Sequence, residues 1–323
     1  MSDATTTLAR AQGCMLGQLA GDSLGSLVEF RSVEEIRRAY PKGVRRLADG
    51  GAWDTIAGQP TDDSEMALVL ARMLAVRGEY DPRKAFESYR FWFDSRPFDC
   101  GRTVHAGLMG RPNHDSQANG AMMRISPLGI FGAGHPYGVV AGWARQDAEL
   151  THPNPVCVEA NALFAAAIAH AVRTGATPRA LHGRIVEWAE EFSVPAELLE
   201  LVRGAADAPP AVYDDQRKGW VMVAFGNALW QMLHAPDLET GVVDTVMRGG
   251  DTDTNAAIAG ALLGAVHGVN AVPAQWTERV LTCRPERGRP GVRKPRPECF
   301  WPVDALDLAG QVLLAGGCPL TGE

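Results

Sequence analysis

Two short clusters of acidic and hydroxyl residues lie far apart in the chain. One spans residues 61–65 (TDDSE) and the other residues 251–254 (DTDT), and each leads into apolar residues at helical spacing. A threonine cap and acids in the first turn stabilise any helix through its dipole, by roughly 0.3–1 kcal/mol each, so one such cluster alone is typical of a helix start. The repetition of the arrangement predicts that the two clusters are the halves of one cation site.

The chemistry of such a site follows from its donor atoms. Several carboxylates brought within about 5 Å repel one another and raise one another's pKa unless a cation neutralises them. Oxygen ligands favour Mg²⁺, Mn²⁺ or Ca²⁺, and the absence of cysteine and histidine from both clusters disfavours zinc. A pair of such ions could bind a diol or an activated water at a reacting carbon.

The second cluster leads into residues 255–268, which are almost all Ala, Gly and short aliphatics. Two glycines let the backbone turn sharply before this segment, and Thr254 is placed to cap a helix. Residues 255–274 carry no formal charge over about the length of a membrane span. However, the segment is Ala/Gly-rich, contains Asn255 and His267, and abuts two acids, which favours a buried helix at the centre of an α-helical domain.

Four further groups could take part in chemistry, and each also has a structural interpretation. Glu29, between apolar neighbours, could form a salt bridge or be half-exposed. Asp99 could cap the helix that follows it. Asn119 and Gly120 could present backbone N–H groups to an anion or merely make a turn. His152, in a proline-flanked turn, could be an exposed or capping residue.

The remaining patterns predict helices joined by loops. A first helix runs from Thr7 and is expected to end in a polar loop at Gly21. We find neither alternating strand patterns nor a fixed-period repeat, so we expect an all-α fold. Residues 41–60 form a long Gly-rich loop, and residues 284–300 form a basic, Pro-rich loop interpreted as solvated surface. A second helix is expected to begin with the acids of the first cluster and to continue through Leu74. Further helices are expected at 83–95, 134–149, 155–173, 178–192, 195–203, 219–234, 238–247 and 302–315.

Composition excludes some classes of function. At 323 residues the chain can form one large core, and 46% hydrophobic residues are typical of a globular protein. A net charge of −7 argues against a nucleic-acid partner. The six cysteines do not show the spacing of zinc ligands, which favours the interpretation that they are reduced thiols. An acid stands near the N-terminus where an export signal would carry Lys or Arg, so we expect a cytoplasmic protein with no membrane partner.

Together these segments resemble the ADP-ribosylglycohydrolase family, and within it most closely the branch of dinitrogenase reductase-activating glycohydrolases and ADP-ribosylarginine hydrolases. Any one motif is weak, but the motifs span most of the chain in family order. They are residues 21–25 (GDSLG) with Glu29, 61–66 (TDDSEM), 99–103 (DCGRT), 119–124 (NGAMMR), 151–153 (THP) and 250–254 (GDTDT).

The resemblance implies a single-domain orthogonal helical bundle over residues 1–323. It implies a hydrolase that cleaves the N-glycosidic bond between ADP-ribose and a modified protein side chain, with arginine the first expectation and ADP-ribose the product. It implies catalytic roles for Asp62, Glu29 and Asp99, the last as a candidate for proton transfer at the sugar. Two Mg²⁺ or Mn²⁺ ions would be held by Thr61, Asp62, Asp63, Asp251, Asp253 and Thr254. The ADP-ribose cleft would be lined by Asn119, Gly120, Ala121, Met122, His152 and Arg102.

One residue departs from the family pattern. Arg102 stands where related sequences often have Asn, and a bulky cation at the cleft bears on how a target guanidinium is admitted. The linkage therefore stays open between arginine-, serine- and O-acetyl-linked ADP-ribose. The alternative from another class is a non-catalytic metal- or nucleotide-binding scaffold on the same fold, and the intact acids count against it.

Overall fold

The computed structural model describes residues 6–211 and 216–320, and within those ranges it contains fifteen α-helices and no β-strand. The predicted all-α fold is confirmed. Residues 1–5, 212–215 and 321–323 of the predicted domain lie outside the described residues. The helices are α1 Thr7–Gly25, α2 Val33–Ala39, α3 Asp62–Arg77, α4 Pro82–Asp94, α5 Arg102–Leu108, α6 Ser126–Phe131, α7 Tyr137–Glu149, α8 Pro155–Thr174, α9 Pro178–Glu191, α10 Ala196–Gly204, α11 Val221–His234, α12 Leu238–Met247, α13 Thr252–His267, α14 Ala274–Leu281 and α15 Ala305–Ala315.

Several helix boundaries differ from the sequence prediction. α1 does not end at Gly21 but continues through Gly25, because its last turn packs against α13. α13 has Asp251 as its N-cap, so Thr254 lies inside the first turn and not at the cap. Asp99 caps no helix either, since Gly101 is the N-cap of α5. The C-terminal helix begins at residue 305 and not at 302, after a turn.

The central feature of the fold is the antiparallel packing of α1 on α13. Glycines spaced by four residues let the two backbones touch, and a Cβ on Gly17 would overlap the carbonyl oxygen of Gly260. At the end of α1, Thr252 Oγ1 donates a hydrogen bond to the carbonyl oxygen of Gly25 at 2.8 Å. The C-terminal end of α1, followed by Glu29, is therefore fixed beside the acidic start of α13.

The core is continuous through the described helices, from α1 to α15. α13 is buried from Thr252 to Ala265, which confirms the predicted buried helix. α8 is long and apolar enough to cross a membrane by length and composition, but 83% of its apolar window is buried inside the protein. That degree of burial is typical of a core helix.

The basic segment 284–300 is only partly a surface loop. Arg296 is buried, contrary to the prediction for this segment, because it pairs with buried Glu65 at an N–O distance of 2.7 Å. Trp92 Nε1 donates to the same carboxylate at 2.8 Å. Glu65 lies three residues after Asp62, so these contacts fix the first turn of α3. Glu65, the last residue of the first acidic cluster, therefore has a structural role.

Candidate active site

A cleft of about 630 Å³ opens where the starts of α3 and α13 meet. The two acid clusters, far apart in sequence, therefore face the same space. Asp62 and Asp251 both line this cleft, as do residues from the loop before α5 and from the segment around Asn119. The predicted site residues that line it are Glu29, Asp62, Asp99, Arg102, Asn119, Gly120, His152, Asp251, Asp253 and Thr254.

The start of α3 supplies one side of the cleft. Asp62 lines the cleft and accepts a hydrogen bond from the backbone N–H of Gly101 at 3.2 Å. Thr61 and Asp63 are fully buried and do not line the cleft. Thr61 Oγ1 lies 2.9 Å from a carboxylate oxygen of Asp22 and 3.2 Å from one of Asp63. The structure thus places Asp62 at the cleft surface, with Thr61 and Asp63 behind it.

The start of α13 forms a compact acidic group with Glu29. One carboxylate oxygen each from Glu29, Asp251 and Asp253 lie within 4.8 Å of one another. Trp53 Nε1 donates to Glu29 Oε2 at 2.8 Å, and Asn119 Nδ2 donates to Asp251 Oδ2 at 2.7 Å. These bonds orient two of the three carboxylates, so the group is held by the structure around it.

Four acids of the cleft, Glu29, Asp62, Asp99 and Asp253, hold protons more strongly than free carboxyl groups do. Burial, reinforced by the charges of Asp62 and Glu29, raises the pKa of Asp99 to about 9. Burial and the nearby Asp251 raise the pKa of Glu29 to about 7, and burial raises the pKa of Asp62 to about 6. Burial and Glu29 raise the pKa of Asp253 well above its ordinary value. A bound proton or cation relieves this repulsion.

The donor set fits hard divalent cations. The candidate side-chain donors of the two clusters and Glu29 are all carboxylate or hydroxyl oxygens, which Mg²⁺, Mn²⁺ and Ca²⁺ prefer. Asp63 Oδ1 is buried and has no hydrogen-bond partner among the described residues. A buried carboxylate oxygen without a partner is costly unless a proton or cation binds to it. The residues present therefore suit the metal-dependent chemistry that the resemblance implies.

A second wall of the cleft comes from the 119–124 segment and His152. Asn119 and Gly120 line the cleft, whereas Ala121 and Met122 are buried and do not, because the chain turns into the core there. His152 is fully buried and lines the cleft, so it is neither an exposed nor a capping residue. Arg102 is exposed at the first position of α5, on the cleft lining.

Two residues that support the site had no role assigned from sequence. Asp22, within the 21–25 motif, accepts hydrogen bonds from the backbone N–H groups of Thr61 and Ser64. Trp53, in the long Gly-rich loop, orients Glu29. Asp22 lies three residues after Leu19, on the same face of the first helix as its apolar residues. If the helix had been expected to continue by one more turn, the sequence would have predicted that Asp22 is buried. No local pattern marks the contact of Trp53.

Comparison with known proteins identifies the family. Residues 3–293 match the ADP-ribosylglycohydrolase family model. The chain belongs to the ADP-ribosylglycohydrolase family. It is similar to an ADP-ribosyl-[dinitrogen reductase] glycohydrolase of Rhodospirillum rubrum, with 32% identity over 84% of this chain and 90% of that protein. It is also similar to the ADP-ribosylarginine hydrolase Tri1 of Pseudomonas putida, with 26% identity over 84% of this chain and 74% of that protein.

A solved structure supports the same assignment. It is described as an ADP-ribosylglycohydrolase-related protein complex and matches this ADP-ribosylglycohydrolase with a TM-score of 0.75 and 25% identity. The match covers 96% of this chain and 99% of that one. The predicted family, its branch and the prediction of a hydrolytic enzyme are confirmed. The family match ends within the basic segment, so α15 lies beyond it.

Proposed function

We propose that this ADP-ribosylglycohydrolase cleaves the N-glycosidic bond between ADP-ribose and an arginine side chain of a protein, with two Mg²⁺ or Mn²⁺ ions as cofactors. One observation carries the proposal. The acidic starts of α3 and α13 open onto one cleft together with Glu29 and Asp99. ADP-ribosylated protein is the substrate partner in this proposal, and ADP-ribose is the released product.

The metal ligands proposed are the residues at the two helix starts. When bound, the ions supply positive charge that holds the ribose hydroxyls and a water near the reacting carbon. Asp22 fixes the backbone at the start of α3, and the α1–α13 packing fixes the start of α13. Glu29 lies within the Asp251–Asp253 group and adds a further carboxylate to it. The proposed ligands are Thr61, Asp62, Asp63, Asp251, Asp253 and Thr254.

The chain's other cleft residues bind and orient the substrate. Asp99 is proposed to exchange a proton at the sugar, because its carboxyl group lines the cleft and burial raises its pKa to about 9, so that it carries a proton at neutral pH. Asn119 and His152 present polar side chains to the same space, where they can contact the ADP-ribosyl group. Gly120 lacks a side chain that would crowd His152, since a Cβ there would lie 3.1 Å from His152 Nε2.

The charge of the cleft favours arginine as the modified residue. An acidic lining attracts a guanidinium leaving group, and one relative is named for ADP-ribosylarginine. The position of Arg102 favours a second candidate for the substrate linkage. An exposed cation on the cleft lining repels a cationic leaving group. Serine- or O-acetyl-linked ADP-ribose, which brings no guanidinium, is that second candidate.

Removing one proposed ligand tests the mechanism. We expect Asp62→Ala and Asp253→Ala to reduce release of ADP-ribose from ADP-ribosyl-arginine by orders of magnitude, because an ion position is lost. The control is Asp307→Ala, which removes an exposed acid of α15 outside the cleft lining. Circular dichroism verifies folding of each variant. Folded Asp62→Ala protein that released ADP-ribose as fast as the parent would rule the mechanism out.

A substrate panel decides the linkage. Arginine-, serine- and O-acetyl-linked ADP-ribose are each incubated with the parent protein, with and without a chelator, and released ADP-ribose is quantified. We expect the arginine conjugate to react fastest and the chelator to stop the reaction. A faster serine or O-acetyl reaction would replace arginine by the second candidate, and chelator-resistant turnover would remove the metal ions from the proposal.

We also propose a cytoplasmic location. All six cysteines lie in the described part of the chain and are free thiols, which suits a reducing compartment. Fractionation of the cells that produce the protein, with immunodetection in each fraction, tests this. Recovery outside the cytoplasmic fraction would contradict it.

A further inference from the structure

Arg124 ends the 119–124 motif, yet the proposed function gives it no role. It is fully buried, and its charge is paired with that of Asp147. Nε donates to Asp147 Oδ1 at 3.1 Å, and Nη2 donates to the backbone oxygen of Asp147 at 2.9 Å. Tyr89 OH donates to the same carboxylate at 2.9 Å, and the guanidinium carbon lies 4.3 Å from the centre of the Tyr89 ring. The guanidinium is therefore fixed in direction.

The remaining nitrogen of the Arg124 guanidinium, Nη1, points to the residue before His152. Nη1 donates to Thr151 Oγ1 at 2.8 Å, and Thr151 Oγ1 lies 2.7 Å from His152 Nδ1. Arginine has donors only, so Thr151 Oγ1 must accept from it. The hydroxyl then uses its one proton to donate to Nδ1. The reverse arrangement, with Nδ1–H donating, would leave the buried Thr151 hydroxyl proton without an acceptor among the residues that the structure describes, which is unfavourable.

This bond arrangement determines which nitrogen of His152 carries the proton. Burial and the charge of Arg124 lower the pKa of His152 to about 3, so the ring is neutral at pH 7 and has a single N–H. With Nδ1 acting as acceptor, that N–H is on Nε2. Nε2 is buried and has no hydrogen-bond partner among the described residues. Buried N–H groups in native proteins normally have a hydrogen-bond partner, and because His152 lines the cleft, an acceptor atom in the cleft can supply it.

We propose that Arg124 and Thr151 are positioning residues that fix the Nε2–H tautomer of His152, so that His152 donates a hydrogen bond to an acceptor atom of the ADP-ribosyl group. The identity of the ligand rests on the proposed function, whereas the tautomer does not. Arg124 Nη1 also lies 3.4 Å from the carbonyl oxygen of Gly120. One side chain thus connects both segments that form this wall of the cleft.

Nitrogen NMR on protein with ¹⁵N-labelled histidine tests the tautomer directly. At pH 7 we expect the His152 signals of the parent to show Nε2 protonated and Nδ1 unprotonated. Thr151→Ser keeps the hydroxyl and should keep the tautomer. Thr151→Val removes the donor to Nδ1 at nearly unchanged volume and should shift the signals towards a mixture. A parent protein with its proton on Nδ1 would overturn the proposal without any variant.

Binding of ADP-ribose, measured by calorimetry with the full chain, tests the ligand contact. His152→Phe keeps a ring but removes Nε2–H, and we expect Kd to rise about tenfold. Thr151→Val should raise Kd several-fold in the parent and leave it unchanged in the His152→Phe background, because Thr151 acts through His152. Thr151→Ser should restore parental affinity.

The outcomes separate the two proposals. An equal loss of affinity from Thr151→Val in both backgrounds would show that Thr151 is merely structural and would overturn the relay. If the parent bound no ADP-ribose, the proposed function and the ligand contact would both fail, while NMR would still decide the tautomer. If the parent bound ADP-ribose and His152→Phe bound it with the same Kd, the ligand contact would be overturned and the proposed function would stand.

Discussion

Asp22 shows how a residue outside the cleft can determine the geometry inside it. It is fully buried and receives hydrogen bonds from Thr61 Oγ1 at 2.9 Å and from the backbone N–H groups of Thr61 and Ser64 at 3.1 and 3.2 Å. It therefore acts as the cap that Thr61 itself does not provide, since Thr61 makes no side-chain cap bond to α3. Two of the proposed ligands, Asp62 and Asp63, begin the helix anchored in this way.

We expect Asp22→Ala to lower the free energy of unfolding by about 3 kcal/mol or more, because three buried donors lose their acceptor. The same variant should weaken Mn²⁺ binding, since the start of α3 is no longer fixed. Asp22→Asn keeps one acceptor oxygen, so it should lose less stability and less affinity for Mn²⁺ than Asp22→Ala does. Urea unfolding in chelator and calorimetric Mn²⁺ titration measure the two effects. An Asp22→Ala protein as stable as the parent would contradict this account.

At the scale of elements, the site depends on one helix pair. α1 and α13 touch through glycines on both backbones, and this contact places Glu29 beside Asp251 and Asp253. Well-packed interfaces tolerate added volume poorly, and here the obstruction is backbone, which cannot move aside as a side chain can. The spacing of small residues along α1 therefore matters for chemistry as well as for stability.

Gly17→Ala is expected to lower the free energy of unfolding by about 3 kcal/mol or more, because the new methyl group would overlap the backbone of Gly260. Gly183→Ala is the matched control. Gly183 is exposed within α9 with open space around its Cβ position, so alanine there should stabilise the protein by about 0.5–1 kcal/mol. Chemical unfolding of both variants measures the difference, and similar effects of the two substitutions would refute the packing argument.

The elements also show which features a sequence can predict. The all-α class and the two acid clusters were predictable because helical spacing and the pairing of acids with threonines are local patterns. The end of α1 was not predictable from local patterns. Gly21 and Gly25 disfavour a helix by local preference, and they are helical here because they pack on α13. For the same reason, nothing local distinguished Ala121 and Met122, which turn into the core, from Gly120, which lines the cleft.

At the scale of the whole molecule, the acidic cleft couples stability to pH. Asp99, Glu29 and Asp62 have pKa values raised to about 9, 7 and 6, whereas the unfolded chain releases these protons near pH 4. The folded state therefore binds more protons than the unfolded state between these limits. Stability from these groups is fully present below about pH 4 and is lost as pH rises towards 9. A divalent cation would replace the protons.

We therefore expect Tm in chelator to fall between pH 5 and pH 9, and Asp99→Asn to flatten the fall above pH 7, because Asp99 has the pKa of about 9.

Added Mn²⁺ or Mg²⁺ should raise Tm more at pH 8 than at pH 5, since protons compete for the same oxygens at low pH. Asp253→Ala should lose most of this metal-dependent rise. Differential scanning calorimetry across the pH series measures all three. A metal-induced rise as large at pH 5 as at pH 8, or one that Asp253→Ala retained, would place the cation away from these carboxylates.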